Sequence, residues 1–314
     1  MTAAAPLEIR GLTKVYGDIV AVDDVDLTVA EGNVYGYLGP NGAGKTTSLR
    51  MMLGLIRPTA GSVQLFGRDP QLGVRALEGV AGFVEEPRFY PYLSGRRNLE
   101  LLAAFDGGGA AARIDEVLSV VELSDRAADK VRGYSHGMRQ RLGIAAALVR
   151  GPRLLLLDEP TTGLDPAGMR DMRALIRRLA GGGMTVVLSS HLLGEVEELC
   201  DRVAIIRTGS VVYEGTIAEL KRTATGAYRL RTTDDDRALE VCRAQPGIVD
   251  PRRSAGAIHF NAGEAAVAAL SAALVEAAAA PVELTPQAAS LETLFFRLTE
   301  GQDGAAAPEP VEVA

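Results

Sequence analysis

The sequence predicts an α/β fold: a mixed sheet core with a glycine-rich loop between strand and helix, an inserted helical subdomain, and a small α/β domain towards the C-terminus. Three observations predict it. An apolar run ending at Leu38 passes into a glycine-rich loop, and a helical pattern begins near Lys45. Residues 154–157 are four consecutive leucines, a run that suits a parallel strand covered on both faces. Between these two, from about residue 94 to 149, strand signals stop and Ala- and Leu-rich stretches take helical spacing.

The elements follow in order. Residues 7–10 and 25–29 alternate as short strands, with residues 14–18 as a turn-like link. Residues 61–66 and 80–84 read as further strands, the second followed by Glu85-Glu86-Pro87. Helical spacing marks 98–105, 114–121 and 139–149, with Gly107-Gly108-Gly109 breaking the first from the second. Beyond the leucine run come a helix at 168–180, a buried strand at 184–189, a helix at 192–200, and a hairpin of 202–207 with 210–214 around Thr208-Gly209. The character then changes. Residues 1–220 read as one domain and 221–300 as a second, alternating strand and helix three times, with the last helix at 290–299. That helix carries Leu291, Leu294, Phe295 and Leu298 on one face, either core or a dimer contact. The tail 301–314 has a disordered composition.

The loop after Leu38 reads G-P-N-G-A-G-K-T-T, residues 39–47, and contains the G-x-x-x-x-G-K-[ST] pattern. Gly39, Gly42 and Gly44 let the backbone approach a polyphosphate, whose charge the loop N–H groups and the helix N-terminus receive. Lys45 would sit on the β- and γ-phosphates and Thr46 on Mg²⁺. Asp158 ends the leucine run and suits a Mg²⁺-associated carboxylate; Glu159 would orient or deprotonate an attacking water. His191 stands just past another buried strand, at the strand ends where open α/β sheets bind ligands. Ser135 is placed to cap the helix that follows, which makes that helix start an anion site as well. Tyr16 is either a strand-end aromatic or a ring on which a purine stacks.

Bulk properties narrow the classes. The chain has 314 residues and a net charge of −7, which argues against a sequence-independent nucleic-acid binder. The two cysteines, Cys200 and Cys242, lack metal-ligand spacing and fit a reducing compartment. The start carries no secretory signal, and no apolar run reaches membrane-spanning length, so a role at a membrane requires another chain as anchor.

Taken together, the ordered motifs over residues 7–220 resemble the ATP-binding subunit of ABC transporters. The resemblance implies a P-loop NTPase fold of the ABC type, ATP and Mg²⁺ as ligands, and ATP hydrolysis as the activity. It makes Tyr16 the adenine-stacking residue and Gly39, Pro40, Asn41, Gly42, Ala43, Gly44, Lys45, Thr46 and Thr47 the Walker A loop. Ser135, His136, Gly137 and Met138 form the signature that completes the γ-phosphate site of a second copy. Asp158 becomes the Walker B aspartate, Glu159 the catalytic glutamate, Asp165 part of the D-loop, and His191 the switch histidine. Two positions depart from the family pattern. Glu85 stands where Gln usually contacts the metal and water, so the resemblance counts it among the metal ligands and implies an altered metal dependence. His136 replaces a glycine of the signature and would either donate to the γ-phosphate or point away.

These variants, with the E-E-P-R-F-Y-P-Y-L-S stretch and the appended C-terminal domain, look like the bacitracin and daunorubicin exporter branch. That implies a homodimer or paired ATPase subunit working with an integral-membrane permease, peripheral to the cytoplasmic face of the membrane. Soluble relatives in translation or DNA repair are the alternative, but these usually carry two ATPase domains or a coiled-coil or zinc insertion, and none is found here. A nonhydrolytic module is disfavoured by the presence of both Glu159 and His191.

Overall fold

The computed structural model describes residues 4–105, 109–223, 226–287 and 295. The chain divides into two compact units at Thr216/Ile217, four residues before the boundary expected from sequence. The first unit runs β1 (Leu7–Tyr16), β2 (Ile19–Val29), β3 (Val34–Leu38), α1 (Lys45–Met52), β4 (Ala60–Leu65), β5 (Val80–Phe83), α2 (Gly95–Ala104), α3 (Ile114–Val120), α4 (His136–Leu148), β6 (Leu154–Leu157), α5 (Pro166–Gly181), β7 (Thr185–Ser190), α6 (Leu193–Leu199), β8 (Arg202–Arg207) and β9 (Ser210–Thr216).

Two sheets share one core. The larger has the order β5-β6-β7-β3-β8-β9, parallel apart from β9 at its edge. Strands β3, β6 and β7 are buried at every residue, as parallel strands covered on both faces must be. The smaller sheet, β2-β1-β4, is antiparallel. Leu49, Met51 and Met52 of α1 pack with residues of both sheets in a single cluster. Strands β1 and β2 are much longer than the sequence suggested, and only Gly17 and Asp18 turn between them. Register shifts between Ile9 and Val15 break the alternation that would have revealed them.

Helix α4 shows why the helical segment sits where it does. Ser135 caps it, its Oγ accepting from the Met138 N–H at 3.2 Å. Gly143 lets Pro87 lie directly on the helix, since a Cβ there would fall 2.3 Å from the Pro87 ring. The segment after β5 is thereby held on the same helix that Ser135 begins. Asp165 caps α5 by accepting from Gly168 N–H at 2.8 Å, and Pro166 occupies the first helical position. Thr208 and Gly209 both take positive φ in the β8–β9 turn, as a tight hairpin requires.

The second unit contains α7 (Ile217–Thr223), β10 (Ala227–Thr232), α8 (Asp235–Ala244), β11 (Ile248–Ser254), β12 (Ala257–Ala262), α9 (Glu264–Glu276) and β13 (Pro281–Gln287). From β10 onwards it is a β-α-β-β-α-β arrangement, an antiparallel sheet of order β11-β12-β10-β13. Strand β11 is absent from the sequence reading. It is an edge strand with Pro251 and two arginines and mostly exposed side chains, so it carries no apolar alternation. Of the helix expected at 290–299, only Phe295 lies among the described residues, helical and buried. Residues 106–108, including two of the glycines read as a helix break, and the tail 301–314 lie outside them.

Leu156 is fully buried at the centre of β6. Leu156→Ala should destabilise the first unit by about 2–5 kcal/mol through the cavity it leaves. Urea unfolding followed by hydrogen exchange in β3, β6 and β7 measures this.

Candidate active site

The loop of residues 39–44 joins β3 to α1 and forms one wall of a cleft of about 410 Å³. Asn41, Gly42, Gly44, Lys45, Thr46 and Thr47 line that wall; Glu159, Thr162 and His191 face them. Gly44 has φ of 102°, and a Cβ there would lie 2.3 Å from the Ala21 carbonyl oxygen, so only glycine fits. Lys45 is 6% exposed, and its ammonium donates to the carbonyls of Gly39 at 2.8 Å and Pro40 at 3.2 Å. The same ammonium stands 3.2 Å from Glu159 Oε1. Ala43 is buried under the loop, and its carbonyl accepts from Gly209 N–H. The loop is therefore held from within by Lys45 and from outside by the β8–β9 turn.

The opposite wall is built at the C-terminal ends of β6 and β7. Asp158 is buried, and burying a carboxylate is costly unless protein groups hydrogen-bond it. Thr46 Oγ1 donates to its Oδ2 at 2.9 Å, and Ser189 Oγ donates to Oδ1 at 2.5 Å. Ser189 Oγ also accepts from Glu159 N–H at 2.9 Å. Glu159 leaves the strand with φ of 48°, a left-handed conformation that a non-glycine residue adopts only when its surroundings enforce it. The Ser189 bond is part of that enforcement. Glu159 Oε2 accepts from Thr162 Oγ1 at 2.9 Å and meets His191 Nδ1 at 2.6 Å. Burial works against the Glu159 charge, but the Thr162 hydroxyl, Lys45 and His191 outweigh it and hold the carboxyl below the usual carboxylate range.

Sequence reasoning passed over Ser189, Thr162 and Glu195. Ser189 had a readable signal, a hydroxyl ending a buried parallel strand beside the acidic pair. Glu195 had none, because glutamate on a helix is ordinarily solvent-facing. Here it is 3% exposed, and its Oε2 accepts from Thr161 Oγ1 at 2.7 Å and Ser190 Oγ at 3.1 Å. It thus ties together the residues preceding Thr162 and His191.

Other candidates lie elsewhere. Tyr16 ends β1 with its ring half exposed and the Lys14 ammonium 4.9 Å from the ring centroid. Ser135, His136, Gly137 and Met138 line a different groove, together with Asp165 and residues around it. The structure does not bring them to the Lys45 cleft of the same chain. Glu85 stands just past the end of β5. It takes φ of 69° after β5, and its carboxylate pairs with Arg50 of α1 rather than joining Thr46 and Asp158. The guanidinium is a long, charged donor within reach, and it neutralises the carboxylate where it stands. His136 neither points away nor enters the cleft; its ring contacts the Thr162 carbonyl and Glu86.

This geometry can be set beside known proteins. A family model described as ABC transporter matches residues 22–162. The ABC transporter ATP-binding protein YdbJ of Bacillus subtilis, itself described as uncharacterized, is 40% identical over 93% of this chain and 95% of its own. The chain belongs to the ABC transporter ATP-binding family. The bacitracin transport ATP-binding protein BcrA of Bacillus licheniformis is 39% identical over 92% of this chain and 96% of that protein. The daunorubicin/doxorubicin resistance ATP-binding protein DrrA of Streptomyces peucetius is 40% identical over 76% of this chain and 73% of that protein. Among solved structures, an ATP-binding subunit of an ABC transporter aligns with TM-score 0.62 and 28% identity, covering 69% of this chain and 92% of its own. A dimeric cassette in a post-hydrolysis state, bound to ADP and Pi, aligns with TM-score 0.59 and 27% identity over 67% of this chain and 98% of its own. As a member of this family the chain binds ATP and hydrolyses it, and such subunits work with membrane permeases. No helix among the described residues is long and apolar enough to cross a membrane.

Two outcomes follow from the site. Ser189→Ala removes one partner of a buried carboxylate and one of a strained backbone, and should cost about 1–3 kcal/mol in urea unfolding, together with a fall in ATP turnover. Glu85→Gln should leave the Mg²⁺ dependence of ATPase activity coincident with wild type; a displaced titration midpoint would put that carboxylate at the metal.

Proposed function

We propose that the chain powers export of a drug, antibiotic or lipid-like cargo through a separate membrane permease, as a peripheral subunit at the cytoplasmic face of the membrane. One observation carries this reading. Lys45, Thr46, Glu159 and His191 line one cleft, with Asp158 bonded to Thr46, while Ser135 caps a helix that faces a different groove. Each copy thus holds a hydrolytic set and, apart from it, an anion-binding helix start that its own cleft does not use. Two copies placed head to tail satisfy both, each Ser135 and Gly137 meeting the γ-phosphate held by the other's Lys45. The cargo class rests on the relatives, whose names give bacitracin transport and daunorubicin resistance.

The residues present fit Mg²⁺. Thr46 and Asp158 offer a hydroxyl and a carboxylate, hard oxygen donors already side by side. They would hold the ion, which when bound neutralises charge on the phosphate oxygens. The loop N–H groups and Lys45 bind the phosphates of ATP. Lys45 rests against Glu159, and an arriving triphosphate competes for that ammonium. Glu159, ionised and an acceptor only, orients the attacking water and receives its proton. His191 fixes the carboxylate's direction, and Thr162 holds the same oxygen from the other side.

Glu159→Gln keeps the shape and removes the base. Turnover should fall by about 100-fold or more while ATP still binds. The ATP-loaded variant should elute as a dimer in size-exclusion chromatography, and the wild type should co-purify from membranes with an integral partner. Normal hydrolysis by the variant would remove Glu159 from this role, and recovery of the protein on ribosomes or DNA would overturn the transporter reading.

A further inference from the structure

Three segments far apart in sequence meet at one imidazole. His136 is the first residue of α4, next to the cap Ser135. Its Nε2 lies 3.0 Å from the Thr162 carbonyl oxygen, which can only accept, so Nε2 carries the proton and donates. Its Nδ1 lies 3.3 Å from Glu86 Oε1. Arg139, one turn along α4, places Nε 3.7 Å from the same carboxylate oxygen and donates through its guanidinium to the Tyr134 carbonyl at 2.7 Å. Pro87, the next residue after Glu86, packs on α4 at Gly143. The imidazole therefore lies beside a segment already fixed to its own helix, and its Nε2–H reaches across to residue 162 on the other side.

What it reaches is not passive. The Thr162 N–H donates to the Glu159 carbonyl at 3.1 Å, and the Thr162 hydroxyl donates to Glu159 Oε2 at 2.9 Å. The next two residues, Gly163 and Leu164, line the groove with Ser135 and Gly137. A continuous path of hydrogen bonds thus runs from the start of α4 through residue 162 to the carboxylate in the cleft.

We propose that His136 is a positioning residue that ties the start of α4 to the Thr162 backbone and so keeps the Thr162 hydroxyl on Glu159 of the same chain. The helix start offered to a second copy's ATP and the chain's own hydrolytic carboxylate then move together. A glycine at this position has no side chain with which to make the link. The inference rests on the ATPase reading above, with Glu159 as the residue that directs water. It differs from both alternatives the sequence offered for His136, a donor to the γ-phosphate or a ring that points away.

The test is steady-state ATP hydrolysis by the full-length chain carrying His136→Ala, His136→Gln, Thr162→Val, and His136→Ala combined with Thr162→Val, each checked for an unchanged melting temperature. Loss of one positioning hydrogen bond should lower kcat by about 3- to 10-fold in His136→Ala, with KM for ATP nearly unmoved. His136→Gln keeps an N–H donor and should recover most of the rate, which keeps the test open if alanine disturbs the helix start. Because the link acts through the Thr162 hydroxyl, His136→Ala should add little to Thr162→Val. Unchanged kcat in His136→Ala, a glutamine variant as slow as the alanine one, or fully multiplicative effects in the double variant would each overturn the proposal. A rise in KM with kcat intact would instead give His136 the phosphate contact. A wild-type chain without ATPase activity would defeat the functional reading itself, and that result is distinct from all of these.

Discussion

A buried carboxylate at the end of β6 sets the terms for everything around it. Asp158 has almost no access to water, and burying a carboxylate is costly unless protein groups replace the lost hydration. Two hydroxyls do so, Thr46 from α1 and Ser189 from β7. Each comes from an element that the parallel sheet places beside β6 or across the loop from it. The sheet order β6-β7-β3 is therefore also the order in which donors reach this residue. Had β3 and β6 been direct neighbours, Ser189 would have no place between them.

Ser189 then passes the constraint on. Its oxygen accepts from Glu159 N–H while its proton goes to Asp158, so one side chain fixes both acidic residues. Glu159 turns out of the strand in a left-handed conformation, and this swings its carboxylate towards Lys45 and His191. A regular extension of β6 would alternate the two carboxylates across the sheet faces. The turn is what lets adjacent residues serve one cleft in different roles, one buried against α1 and one in the opening. Glu195 performs a similar service one layer out, holding Thr161 and Ser190 on a single oxygen.

Much of this was legible in the sequence, for identifiable reasons. The loop from Gly39 to Thr47 and the run ending in Asp158-Glu159 combine residue type, spacing and context, and the structure brings Lys45, Thr46, Asp158, Glu159 and His191 together. The Ser135 cap was legible because capping is local. What escaped depends on distant partners. Strand β11 exists because β12 offers it an edge, not because of its own composition. The direction of Glu85 is set by Arg50, 35 residues away in the chain. For His136 the pattern leaves open a phosphate contact or a ring pointing away; within the chain its ring meets the Thr162 carbonyl and Glu86. Side chains at motif positions follow their nearest donors and acceptors, and no spacing rule encodes those.

The separation of the two grooves has a physical consequence. An anion at the start of α4 would receive the free N–H groups and dipole of that helix, yet Ser135 Oγ already accepts from Met138 N–H. The cap thus satisfies one of the N–H groups at that helix start from within the chain. The same holds in the cleft, where Lys45 rests on Glu159 and on two carbonyls. In the cleft, a triphosphate would compete with the Glu159 carboxylate for the Lys45 ammonium.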